Sequence, residues 1–478
     1  MKASQALSAK QSNERITAVL KIGCTSEMLK DSELIRLKKL VSKKFGISLG
    51  LHYLCKTKRK ETQNNAMKRL LTLLATVWLC GTALAGDYKA PEGKLIYIPR
   101  DLRDNDFTDP EAKWSYARMA YTDDIVVFWE KPFGPDLSKA PDLEGKPMTV
   151  DLQNLIGRVQ AFYDFYRDSL EFILPGSKAE RYRMMVMLNY SLEGTAYGGD
   201  YDGEIGALWI APNRVQDKKL NCIAHELGHS FQSQIICDHT GEAWGGGGIF
   251  EMTSQWMLWN VNPTWTKDEN YHWQAFRKAF NQRFLAGENI YRSPYVLEYW
   301  SMKHGLREMG RLFRAGRRGE DPAQTYMRLH RLSLDQMNRE MADCYSRLVS
   351  FDFPRVKELH RDMVGQLVGQ EPMGTWGFNV IEVPRTAKKV KFQSLATDEN
   401  ASFRYQLVGI DKDKDAHYYG IQEADKQTLK VQAGADVEKL YLVVVACPRT
   451  EYKPQRFNPY HRRTGEEKET EYPYKVKF

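Results

Sequence analysis

Beyond residue 85 the chain has few cysteines, no surplus of either charge and no long apolar run. Its seven cysteines fall to four there, Cys222, Cys237, Cys344 and Cys447, too few for a disulfide scaffold even in an oxidising compartment. Cys222 and Cys237, if carried on one continuous helix, stand about 22 Å apart at 1.5 Å per residue and cannot pair. The net charge of +8 is equally local. Residues 1–85 hold 16 Lys/Arg against 5 Asp/Glu, and the rest of the 478 residues hold 53 against 56. The bulk of the chain therefore has no basic surplus for a nucleic-acid partner. The one apolar run, 70–85, is shorter than the roughly 20 residues a membrane-spanning helix needs. There is no internal repeat and no low-complexity linker. What is left, 42% hydrophobic and 27% charged, is ordinary globular composition, long enough for two or three domains.

The basic end has its own logic. "MKRLLTLLATVWLCGTALAGDYK", from Met67, has a Met-Lys-Arg start, the apolar run and an Ala83-Leu84-Ala85 cleavage site, the pattern of a secretory signal peptide at 67–85. Lipidation at Cys80 is disfavoured by Leu79 before it. Residues 1–66 then read as an upstream extension, with translation expected to begin at Met67. The "GISLG" at 46–50 matches a nucleophile elbow formally but has no strand-turn-helix context. The expected destination is the periplasm, the cell surface or the medium.

From 86 onward the pattern is mixed. Residues 125–130, "IVVFWE", and 181–190, "RYRMMVMLNY", have strand length and composition, and 151–172 carries Leu155, Val159, Phe162, Tyr166 and Leu170 at helical spacing. A Gly-rich loop, "EGTAYGGDYDGEIG", precedes a strand at 205–212, which is expected to be a sheet edge presenting Ile205, Ala207 and Trp209 to an extended peptide. A helix follows, with Asn213 or Asp217 as N-cap. Residues 250–365 are mainly helical. From 377 short alternating strands take over, as in "SFRYQLVGI", where Phe403, Tyr405 and Leu407 share one side.

The chemistry concentrates in "IAHELGHSFQSQ", residues 223–234. At 100° per residue His225 and His229 lie 40° apart with Glu226 beside them, while Leu220, Ile223, Ala224, Leu227 and Phe231 face the other way. Spacing i, i+4 lets both imidazoles reach one ion, and Glu226 is placed to take a proton from a water that the ion activates. With ten histidines in the chain, the pattern arises by chance in on the order of one per cent of such sequences. Gly228 in mid-helix costs about 1 kcal/mol against Ala and marks close packing. A catalytic zinc needs a third protein ligand. Ile235 and Gln232 exclude the metzincin spacing. Glu251, the one acid in the apolar stretch "GGGGIFEMTSQWMLW", is tolerated there if paired or bound to metal.

His-Glu-x-x-His followed by a Glu on a second helix resembles the gluzincin arrangement of thermolysin-like peptidases. Their Asn-Glu-x-x-Ser-Asp segment is similar to "FEMTSQ" at 250–255. The resemblance implies Glu251 as zinc ligand and puts Gln255 where those enzymes carry an Asp that orients a ligand histidine. The 21 residues between His229 and Glu251 also fit enhancin-like mucin peptidases. Nearly the whole mature chain looks like a family of secreted bacterial proteins of unassigned function, on "YRMMVMLNYSLEGTAYGGDYDGEIGALWIAPN", "CIAHELGHSFQSQ" and "GEAWGGGGIFEMTSQWMLW". Gluzincins draw an oxyanion-stabilising Tyr or His from the helices after the third ligand. "SPYVLEYWSMKHG" offers Tyr295, Tyr299 and His304, of which Tyr299 is the candidate.

The fold expected is α+β: a zincin-like domain at 86–376, with a small mixed sheet plus helices and then a helical subdomain, followed by an antiparallel β-sandwich at 377–478. The function expected is zinc-dependent hydrolysis of peptide bonds in a protein, peptide or glycoprotein, by a monomer. The alternative is a non-catalytic surface or glycan-binding protein on the same scaffold. The C-terminal module would stabilise the enzyme or bind glycan or cell surface. Asp200, Asp202 and Glu204 offer oxygen ligands for Ca2+, or form a polar hairpin turn. Gly245–Gly248 let backbone approach the helix or the substrate, and Cys222 reads as a small buried residue rather than a fourth ligand.

Overall fold

A computed structural model describes residues 88–239, 244, 249–287, 290–423, 426–455 and 472–478. The expected signal peptide, the segment before it and Gly245–Gly248 lie outside the described residues. Those that are described form a mixed α+β structure within one compact unit.

Its first layer is a five-stranded sheet. The strands are β1 (Met119–Tyr121), β2 (Ile125–Trp129), β3 (Met184–Leu188), β4 (Ala196–Tyr201) and β5 (Ile205–Ile210), in the order β1-β2-β3-β5-β4. β2, β3 and β5 run parallel, and β1 and β4 pair antiparallel at the two ends. β2 and β3 are buried at every position, as continuous apolar runs require when both faces of a sheet are covered. Helix α1 (Leu152–Asp164) is N-capped by Asp151 and continues as a π-turn over Phe165–Ser169. Its Tyr163 and Tyr166 clasp Phe231 edge-on.

One expectation fails here. β5 is not an edge strand, because β4 covers it, and β4 is the stretch read as a Gly-rich loop. Ile205, Ala207 and Trp209 therefore lie on an interior strand. Glycines lower strand propensity, and Gly198 and Gly199 hid this one. The structure shows why glycine is needed: a Cβ on Gly198 would stand 1.7 Å from the backbone oxygen of Glu226. The strand's backbone lies directly on the helix.

That helix is α2 (Asn221–Cys237). It begins later than expected, after Leu220 turns through the left-handed region at φ 52°, although Asp217 still accepts from the Asn221 N–H at 3.4 Å. Asn213 instead belongs to a short 3-10 turn, Pro212–Arg214. α2 is tied to β5 by Ser230 donating to the Ala207 carbonyl and by Gly206 donating to the Gln234 side chain. Helix α3 (Phe250–Val261) crosses it at Gly228, where a Cβ would meet Ser254 Oγ at 2.8 Å. The close packing expected of Gly228 is this crossing.

Short helices α4 (Trp265–Asp268) and α5 (Asn270–Phe276) follow, then α6 (Tyr295–His304), α7 (Glu308–Ala315), α8 (Pro322–His330) and α9 (Leu334–Leu348), the last opened by a Ser333–Gln336 capping box. The remaining strands are β6 (Phe378–Glu382), β7 (Lys389–Ser394), β8 (Ala401–Asp411), β9 (Ala416–Tyr418), β10 (Gln422–Glu423), β11 (Lys426–Lys430), β12 (Val437–Pro448) and β13 (Tyr474–Lys477). They make two antiparallel sheets, β10-β8-β12-β6 with β9 beside β8, and β11-β7-β13.

Alternation along β8 works as expected on one face. Phe403, Tyr405 and Leu407 pack with Phe392 of the smaller sheet. The other face is buried as well. Val408, Ile410, Tyr441, Val443 and Val445 join the core shared with the helices, and buried Arg404 pairs with Asp335 of α9. Trp376, at the expected domain boundary, is fully buried, bonded through its ring N–H to Asn338 and through its backbone N–H to Ala446.

Candidate metal centre

Two helices bring the chemistry together. α2 presents His225, Glu226 and His229, and the first turn of α3 presents Glu251. His225 Nε2 lies 3.0 Å from Glu251 Oε2, His229 Nε2 lies 3.0 Å from the same oxygen, and the two Nε2 atoms are 3.1 Å apart. Donors held about 2.0–2.1 Å from one ion at tetrahedral angles stand about 3.3 Å apart, close to this triangle.

The protonation of each ring is fixed from behind. His225 Nδ1 faces Gln255 Oε1 at 3.2 Å, and His229 Nδ1 faces Gln232 Oε1 at 2.9 Å. Neither amide is free to turn over. Gln255 Nε2 donates to the Tyr291 carbonyl and Gln232 Nε2 to that of Phe250, each at 2.9 Å. The amide oxygens therefore accept from Nδ1–H, and each Nε2 turns a lone pair toward the other and toward Glu251. Three electron-rich atoms converging with no proton between them form a donor set that fits a divalent cation. Two imidazoles and a carboxylate suit zinc. In the other protonation state, with a proton on Nε2, burial raises the Glu251 carboxyl but bonds from the two rings lower it by more, to well below the usual carboxylate range. In that state burial lowers the His229 pKa but Glu251 raises it by more.

Glu226 leaves the triangle open. Its Oε2 accepts the backbone N–H of Gly198 at 2.9 Å, which fastens the carboxylate to edge strand β4. Cys222, one turn before His225, is outside the donor cluster. Burial, with the Glu226 charge adding to it, pushes its thiol up to about 11.

Tyr299 is elsewhere. Its hydroxyl donates to Asp343 at 2.9 Å and Lys303 lies over its ring, so it holds helices together. Tyr295 is buried among Trp259, Trp273 and Phe276, and His304 stacks on His330. The tyrosine that meets the cluster is Tyr291, 42% exposed, stacked on His225 with centroids 5.9 Å apart. It lies in a connecting segment with no periodicity, and nothing in the sequence singles it out. Gln232 likewise carries no signal in the sequence beyond breaking the metzincin pattern.

The Ca2+ reading of 200–204 loses its ligands to other partners. Asp202 accepts from Arg100 and Tyr97, Asp200 from the Gly203 N–H, and Glu204 pairs with Lys178. These residues form the β4–β5 turn. A second cluster, Asp411, His417 and Asp436, lies at the β8–β9 hairpin, with Asp436 exposed.

Among the described residues no helix is long and apolar enough to cross a membrane. No curated protein matches the sequence. Among solved structures, the ZmpB metallopeptidase from Clostridium perfringens is similar over 73% of this chain and 69% of that one, at 15% identity and a TM-score of 0.29, too remote to bear on the reading of the site. Residues 88–478 match the family of unknown function DUF6055, and the chain belongs to that family.

Proposed function

We propose that the chain is an exported zinc-dependent metallopeptidase of the zincin type, with its C-terminal sheets forming a β-sandwich. The observation that carries this reading is the triangle of His225 Nε2, His229 Nε2 and Glu251 Oε2, all within 3.0–3.1 Å, beside a carboxylate that is not part of it. A purely structural site has no use for Glu226.

His225, His229 and Glu251 hold the ion, and Gln255 and Gln232 keep both imidazoles neutral and oriented. When bound, zinc supplies Lewis acidity toward the scissile carbonyl and acidifies water at neutral pH. Glu226 is the general base. The Gly198 N–H fixes Oε2, and Oε1 takes a proton from the attacking water and passes it to the leaving amine nitrogen. β4 pairs with β5 on one side only, so its other edge can pair with the backbone of an extended substrate. Tyr291 is the phenol positioned beside His225 to meet the developing charge.

Residues 86–478 should bind one zinc by elemental mass spectrometry and cleave casein or a mucin glycopeptide until a chelator is added. Glu226→Gln should keep the zinc and stop cleavage. A wild type that stays metal-free when zinc is supplied at neutral pH would sink the reading and leave a glycan- or surface-binding protein in its place.

A further inference from the structure

Beside the candidate centre lies an open depression of about 690 Å³, lined by Tyr271, Gln274, Ala275, Lys278, Ala279, Gln282 and Arg292. Six of these recur every three or four residues along α5 and the turns that continue it, so they form one wall. Arg292 closes the other. Among the described residues no carboxylate lines it. Among the described residues the side chains of Lys278 and Arg292 have no ion pair or hydrogen bond. Arg277 next door is bonded to the Gln366 carbonyl and to Gln274. Two cations facing one hollow raise the local concentration of anions there.

Each wall is one residue removed from a residue that touches His225 or Gln255. Tyr291 stacks on His225 and immediately precedes Arg292. Tyr271, 65% exposed, packs on His272, whose Nε2 lies 3.4 Å from the Gln255 amide nitrogen. Arg292 is therefore one residue along the chain from a ring that touches a metal-ligand candidate.

We infer that this depression is a substrate subsite for a carboxylate carried near the scissile bond. Either an acidic amino-acid side chain or an acidic sugar on a glycopeptide would supply it. The inference rests on the peptidase reading for its placement, but its test does not need turnover. Full-length Glu226→Gln protein, loaded with zinc, is titrated with labelled peptides that carry one Glu or the matched Gln, and with a glycopeptide ending in an acidic or a neutral sugar.

The acidic member of a pair should bind about tenfold tighter, with the advantage shrinking as salt rises. It should vanish in Lys278→Ala/Arg292→Ala. Lys278→Glu/Arg292→Glu should reverse it toward a Lys-bearing peptide, which a misfolded protein cannot do. The pair that shows the effect identifies the source of the carboxylate. Equal affinity within both pairs, or an advantage that survives the double alanine variant, overturns the inference even if the wild type proves to be a peptidase. Charge-dependent binding without any turnover by the wild type would sustain the subsite and sink the peptidase reading alone.

Discussion

Replacing Gly198 by Ala tests how the helix and the edge strand are joined. The added Cβ would stand 1.7 Å from the Glu226 carbonyl oxygen, 2.7 Å from its carbon and 2.9 Å from His229 Cβ. All but the last belong to backbone, so no side-chain rotation relieves the clash. Restoring ordinary contact requires β4 to retreat by about 1.5 Å from α2, since non-bonded carbon and oxygen rarely approach within about 3.2 Å. The Gly198 N–H would then stand beyond hydrogen-bond range of Glu226 Oε2, now 2.9 Å away. Overpacking costs about 1–3 kcal/mol, and a lost bond to a charged acceptor about 1.5–3 kcal/mol more. Urea unfolding of the zinc-free protein should show a loss of about 2.5–6 kcal/mol on the sum of those two costs. Gly157→Ala in α1, where a Cβ meets nothing within 4 Å, should instead stabilise by up to about 1 kcal/mol. Cleavage by Gly198→Ala should fall by more than its folded fraction does, because Glu226 has lost its anchor. Wild-type stability and activity in Gly198→Ala would mean that strand and helix are not in the contact described, and the placement of the base would fall with it.

Three further outcomes follow from the same structure. Gln255→Leu removes the acceptor behind His225 Nδ1, and competition with a chromophoric chelator should show zinc affinity down about 10–100-fold; unchanged affinity would mean the amide does not set the tautomer. Tyr299→Phe breaks the bond to Asp343 and should cost about 1 kcal/mol in urea, with zinc content and cleavage unchanged; a specific loss of kcat would return Tyr299 to the site. His360 lies against Trp259 and Phe351 and bonds to Thr266 and the Val356 carbonyl, and burial lowers its pKa to about 4. Its unfolded value is about 6.5, so the unfolded chain binds the extra proton first, and stability falls as pH drops from about 6.5 to 4. The loss attributable to this one group is roughly 3 kcal/mol. His360→Phe should flatten that part of the urea-stability profile, and an unaltered slope would refute the assignment.

The sequence displayed its candidate metal ligands because a helix of fixed period makes spacing a statement about geometry. His225, Glu226 and His229 could be put on one face without knowing the fold, and Glu251 stood out as an acid among apolar neighbours. Gln255 was legible only through its likeness to a known segment. Other features depend on approach between distant pieces. β4 was taken for a loop because its glycines weaken strand propensity, and the reason for them, the Glu226 backbone at van der Waals range, belongs to a partner 28 residues away. β5 looked like an edge only while β4 was missing from the sheet. Tyr291 reaches His225 from an irregular connection, so no period announces it. Tyr299 shared a helix face with Tyr295, and that face proved to be core.

The larger C-terminal sheet is buried on both sides, by the small sheet on one and by α9 and the shared core on the other. A module attached that way cannot be exchanged for another without uncovering the helical surface beneath it, including Tyr345 of α9, which stacks on Phe378 of β6. Peptidases that carry tethered binding domains can recombine them to reach new substrates. Here such recombination would expose the shared core, so on the proposed reading a change of target has to come by substitution within the surfaces the fold already presents.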